Sequence, residues 1–169
     1  VYDNVKSIDH ASEYAQRNQL LLNSGDGIFR EVIDFNTGEL FVTRGLASCD
    51  YDNDGYPDVG LSNNGGPGQL LRNNSNRDNN WIGVKLIGYV DNTDGIGATV
   101  TVIYGSNSLR RELRTGASYL SGHDLRLQFG LEEVAQVDTI KVEWPSGSTQ
   151  SLVHPMINSY VEITQRKRP

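Results

Sequence analysis

A run of aspartates at alternating positions, Asp50-x-Asp52-x-Asp54-Gly55-x-x-Asp58, constrains this chain more than any other feature. Carboxylates at positions 1, 3, 5 and 9 of a loop can turn their oxygens toward one point, and Ca²⁺, a hard cation, takes six to eight oxygens. The main-chain carbonyl of Tyr56 falls at position 7, and Gly55 at position 6 permits the sharp turn. Without a cation these carboxylates would repel one another, which makes a plain acidic hairpin turn the costlier reading. Mg²⁺ fits less well, because it demands a small octahedral cage and keeps its waters.

The same spacing opens an EF-hand, but that loop needs a bidentate Glu at position 12, where this sequence has Leu61, and it needs flanking helices. The neighbours, Leu46-Ala47-Ser48-Cys49 and Val59-Gly60-Leu61-Ser62, are short glycine-bounded segments that suit strands. The predicted site is therefore a calcium loop between two β-strands, with Asp50, Asp52, Asp54, Tyr56 and Asp58 as its ligands. Asn23 to Asp26 and Asp91 to Asp94 carry fewer carboxylates and read as ordinary turns, with a weak second cation site as the alternative.

The 18 glycines, with many Asn and Asp residues, call for numerous tight turns between short strands, an all-β composition. At 169 residues the chain buries a core without disulfides. None is available internally, since Cys49 is alone; it reads as a small buried hydrophobe, and no zinc spacing surrounds it. The charge is asymmetric: residues 1–78 hold 12 acids and 6 bases, residues 79–169 hold 9 of each. An acidic first part without a basic patch disfavours nucleic acid and suits a collector of divalent cations. No run approaches the length of apolar chain that spans a bilayer, and no signal peptide is recognisable. Beginning at Val1-Tyr2-Asp3, the sequence reads as a mature fragment or a piece of something longer.

Gln19-Leu20-Leu21-Leu22-Asn23 recurs as Gln69-Leu70-Leu71-Arg72-Asn73, an offset of 50 residues. Such a period belongs to propeller blades and similar arrays. From Asn80 the texture changes to longer alternating strands, expected over Trp81–Tyr89, Ala98–Tyr104, Leu109–Arg114, Leu125–Phe129, Val137–Trp144, Ser148–Val153 and Tyr160–Thr164. Ile82, Val84 and Leu86, like Ile140, Val142 and Trp144, recur at period two, as half-buried strands require. This is the pattern of a sandwich or small barrel. A weak helical pattern lies around Asp9 to Arg17, and residues 165–169 read as a frayed basic tail. The expected organisation is an incomplete calcium-loop repeat region over 1–78, a β-sandwich over 79–165 and a basic tail over 166–169.

Two stretches resemble known modules. "NQLLLNSGDGIF" and "RGLASCDYDNDGYPDVGLSNNGGPGQLLRNN" resemble FG-GAP (VCBS-type) repeats, the calcium-loop blades of integrin-like β-propellers. "NNWIGVKLIG", "DGIGATVTV", "FGL" and "VEWPSG" resemble the ASPIC/UnbV module that follows such propellers, so the chain looks like the C-terminal part of a bacterial relative of cartilage acidic protein. The resemblance implies partial propeller-like blades, Ca²⁺ as cofactor, an extracellular, surface or periplasmic location and loops offered to other macromolecules. A propeller needs typically four to eight blades, and this chain has material for at most two. A lone blade leaves flat faces and a strand edge open. Residues 1–78 are therefore expected to rest on the sandwich or on a partner, which would be another protein or the missing blades.

No enzyme is expected. His10, His123 and His154 are scattered, and His123-Asp124, following Ser118 and Ser121, lacks the G-x-S-x-G nucleophile elbow. "NNGGPGQ" lacks the lysine and helix of a phosphate cradle. Trp81 and Trp144 read as core residues; an exposed tryptophan, or Tyr56, Tyr119 and Tyr160, would instead make a sugar platform. The leading expectation is a non-catalytic structural or adhesive module. A carbohydrate-binding module and an accessory subunit or cleaved fragment of a larger complex are the alternatives.

Overall fold

The computed structural model describes residues 5–8, 13–33, 39–75 and 78–166. Among the described residues it is all-β, with one helical turn at Val5–Ile8. In the first part β1 (Leu21–Asn23) and β2 (Phe29–Glu31) form a small hairpin, and β3 (Thr43–Cys49), β4 (Asp58–Asn63) and β5 (Gln69–Leu71) form an antiparallel meander, the blade. Both copies of the repeated segment contribute a strand, β1 and β5. Their pairing differs, because β1 pairs with the strand after it and β5 with the strand before it.

The second part contains β6 (Asn80–Ile87), β7 (Thr99–Tyr104), β8 (Asn107–Glu112), β9 (Leu127–Glu132), β10 (Thr139–Glu143), β11 (Thr149–Val153) and β12 (Tyr160–Thr164). They assemble into a four-stranded sheet, β11-β10-β7-β8, and a three-stranded sheet, β12-β6-β9, in which β12 runs parallel to β6. Neither sheet closes on itself, so the architecture is a sandwich. The alternation anticipated in the sequence sends Ile82, Val84 and Leu86 of β6, Phe129 and Leu131 of β9, and Ile163 of β12 inward. There they meet Val100 and Val102 of β7 and Ile140 and Val142 of β10 in one buried cluster, which also takes in Trp144. Burying each such side chain contributes roughly 1.5–3 kcal/mol.

Neither the β1–β2 hairpin nor the blade has a comparable core. Among the described residues before position 79, Leu61 is the one apolar side chain that is buried, while Leu21, Leu22, Phe29 and Ile33 are more than half exposed. The blade's order comes from polar contacts and from what it leans on.

Three expectations need correction. The helix around Asp9 to Arg17 is absent from residues 13–17, because the Gln16 N–H and C=O are both used on Phe41, at 2.9 and 3.0 Å, where a helix would need them internally; residues 9–12 lie outside the described residues. Gln165 is not part of a frayed tail. It is 3% exposed, its Oε1 accepts the Tyr89 and Val90 N–H groups, and its Nε2 donates to Asp91 and Ser146. Residues 167–169 lie outside the described residues. Cys49 is half-buried; burial, then the Asp124 and Asp58 carboxylates, push its thiol above the usual range. Among the described residues no helix is long and apolar enough to cross a membrane.

Candidate metal centre at the junction of blade and sandwich

The aspartate loop joins β3 to β4, and its backbone is built around two of its own carboxylates. Asp50 Oδ1 accepts the Asp54 N–H and its Oδ2 the Gly55 N–H, at 3.0 and 2.8 Å. Asp58 Oδ2 accepts the Tyr51 N–H, and its Oδ1 accepts the N–H of Asn73, the last residue of the second repeated segment. Asn53 and Gly55 take φ of 60° and 91°, the left-handed region that a tight wrap requires. Both Asp50 and Asp58 are fully buried.

Asp50, Asp52 and Asp58 each bring a carboxylate oxygen within 4.8 Å of the other two. Asp52 Oδ2 is held by Arg72, at 2.8 Å from Nε. Asp52 Oδ1 is buried and has no hydrogen-bond partner. A carboxylate oxygen kept from water without a donor is costly, and a divalent cation among the three carboxylates would satisfy it. The donor set, all hard oxygen, fits Ca²⁺. Of the other predicted ligands, Asp54 is outside this group of three; its Oδ1 accepts the Tyr56 N–H and its Oδ2 lies 3.4 Å from Arg72. Tyr56 also donates its hydroxyl to the Asn79 carbonyl.

The loop sits on the outer face of the β12-β6-β9 sheet, and the strand period explains which residues receive it. With Ile82 and Val84 pointing inward, Trp81 and Gly83 point outward; on β9 Gln128 does so, and on β12 Tyr160. Tyr160, Gly83 and Gln128 form one cross-strand row. Since Gly83 has no side chain, the phenol ring of Tyr160 lies over it, and the hydroxyl reaches Gln128 Nε2, at 2.6 Å, and Asp50 Oδ2, at 2.5 Å. Gln128 Nε2 also donates to Asp50 Oδ2, at 3.1 Å. Burial, then the bond to Asp50, hold the Tyr160 phenol above its ordinary range.

Around this row the fit continues. Trp81 packs flat against Gly55, where any Cβ would fall inside the indole, and meets Tyr160 edge-on, with ring centroids 5.2 Å apart. Arg126 lies over the Tyr160 ring at 4.3 Å, donates to the Asp50 carbonyl and to Asn53 Oδ1, and is itself held by Asp124. On β3 the Ser48 N–H donates to His123 Nδ1, and the Ser48 carbonyl accepts the Asp124 N–H. His123 thus pairs with Ser48, not with Ser118 or Ser121. Because Nδ1 accepts a main-chain N–H, the neutral ring carries its proton on Nε2. Asp124 turns its carboxylate to Arg126, so these three residues clamp an edge strand.

Trp81, read from the sequence as core, therefore belongs to the docking face; Trp144, 3% exposed, is the core tryptophan. Gly83, Gln128 and Arg126 were not singled out at all, since outward positions of an alternating strand resemble solvent-facing ones. The available signal was composition: Trp81 and Gly83 on β6 and Gln128 and Gly130 on β9 occupy a face where charged residues would be usual.

Comparison with known families finds two matches, with residues 62–87 between them. Residues 8–61 match the FG-GAP-like repeat, and residues 88–169 match ASPIC and UnbV. The chain thus matches an FG-GAP-like repeat followed by ASPIC and UnbV. No curated protein matches it in a direct comparison. All five predicted ligands lie in the FG-GAP-like stretch, while Arg126, Gln128 and Tyr160 lie in the ASPIC/UnbV stretch. Trp81 and Gly83 fall between the two matches, on β6. FG-GAP and ASPIC/UnbV modules together make a repeat-based interaction or structural unit.

Proposed function

We propose that this chain is a non-catalytic, extracytoplasmic calcium-binding module that mediates protein–protein assembly or adhesion. The observation that carries the reading is the convergence of Asp50, Asp52 and Asp58, one of which, Asp52, keeps a buried oxygen without a hydrogen-bond partner. Those three residues would hold the ion, which supplies charge neutralisation. The chain's own residues do the rest: they shape the loop and fix the blade on the sandwich. The exposed apolar side chains of the first part, among them Leu21 and Phe29 on one face of the β1–β2 hairpin, are the area offered to a partner, another protein or further blades. A calcium-rich environment outside the cytoplasm keeps such a site filled.

Thermal unfolding of the purified chain in excess Ca²⁺ and in EGTA tests the reading. An ion at 100-fold its dissociation constant stabilises by about 2.7 kcal/mol, roughly 5–10 °C for a chain of this size. Superimposable melting curves would contradict it.

A further inference from the structure

We infer that the sandwich completes the outer shell of the calcium site, so that ion binding by the blade and docking of the blade on the sandwich are one linked equilibrium. The inference rests on the calcium reading above and extends it to residues outside the loop.

Asp50 receives four donors. Two come from the loop itself, the Asp54 and Gly55 N–H groups; the other two, Gln128 Nε2 and the Tyr160 hydroxyl, come from 78 and 110 residues further along the chain. Arg126 adds a hold on the Asp50 carbonyl and on Asn53. The outer partners of a ligating carboxylate set its orientation, and their loss typically weakens metal binding 10–100-fold. Here half of those partners exist only while the two modules are in contact.

The dependence runs in both directions. Docking takes Asp50 out of water beside Asp52 and Asp58, and burying like charges together is unfavourable. Arg72 neutralises part of this charge and Arg126 is itself paired with Asp124, so the four carboxylates of the loop still outnumber the cations beside them. A cation offsets that cost in the docked form more than in a separated one, where water already solvates the carboxylates. A ligand that binds one of two states more tightly must favour that state by the same factor. Calcium therefore favours docking to the extent that docking favours calcium. The shape of the interface adds selectivity for the wrapped loop: Trp81 accepts residue 55 only as glycine, at the φ of 91° that the wrap imposes.

Isothermal titration of the full chain with CaCl₂ distinguishes the possibilities, using wild type, Tyr160→Phe, Gln128→Ala and the exposed control Tyr119→Phe. The expected result is that Tyr160→Phe and Gln128→Ala each bind Ca²⁺ about tenfold more weakly, while Tyr119→Phe matches wild type. Two variants on different strands keep the test decisive should one of them fail to fold. Wild-type binding with unchanged dissociation constants in both variants would overturn this inference and leave the calcium reading standing. Absence of binding by wild type would overturn both.

Discussion

Gly83 makes room for Tyr160. The two are register partners in the parallel pair of β6 and β12, and a Cβ on residue 83 would fall inside the phenol ring. The ring can cross β6 only because that position is bare, and its hydroxyl then reaches Gln128 and Asp50. Gly83→Ala should displace the ring and break both bonds, destabilising the chain by about 1–3 kcal/mol. Urea unfolding of this variant measures the loss; a change within error would show that the ring has other room to move.

Gly55 faces a double constraint, a left-handed φ of 91° and the indole of Trp81 directly against it. Gly55→Ala pays for both, of order 1–3 kcal/mol for the backbone and more for the clash. Combining it with Trp81→Ala should recover part of the loss. The two effects in a double-mutant cycle should therefore be non-additive by at least about 0.5 kcal/mol. Strict additivity would mean that the loop does not rest on Trp81.

Gln165 closes the far end of the sandwich, with one carbonyl oxygen accepting two main-chain N–H groups, those of Tyr89 and Val90. Gln165→Ala leaves both donors without that partner, at a cost of about 1–3 kcal/mol. The lesion lies away from the metal loop, so Ca²⁺ affinity should be unchanged. A melting temperature equal to wild type would contradict the assignment.

How much of this was legible in the sequence depends on what each residue answers to. The sandwich strands were readable because Ile82, Val84 and Leu86 answer to a core, and a core imposes period two. The aspartate loop was readable because carboxylates at alternate positions of one tight turn must come together, as Asp50, Asp52 and Asp58 do. The docking face was not, since Trp81, Gly83, Gln128 and Tyr160 answer to one another across strands far apart in the chain. Register, not composition, brings them into one row. Gln165 was misread for a similar reason: a polar residue near a chain end looks solvated until the turn at Tyr89 and Val90 is seen to need an acceptor. The Asp9–Arg17 helix was a weak pattern, and at Gln16 a bridge to Phe41 outcompeted it.

The Asp124 amide offers the most direct test of the central claim, because its N–H donates to the Ser48 carbonyl across the junction, at 3.0 Å. Its hydrogen exchange can be followed by NMR in Ca²⁺ and in EGTA. Linked binding and docking predict that Ca²⁺ slows exchange at Asp124 about tenfold or more, together with the loop amides of Tyr51 and Gly55. Slowing confined to Tyr51 and Gly55, with Asp124 unchanged, would show that the ion orders the loop without fastening the blade to the sandwich.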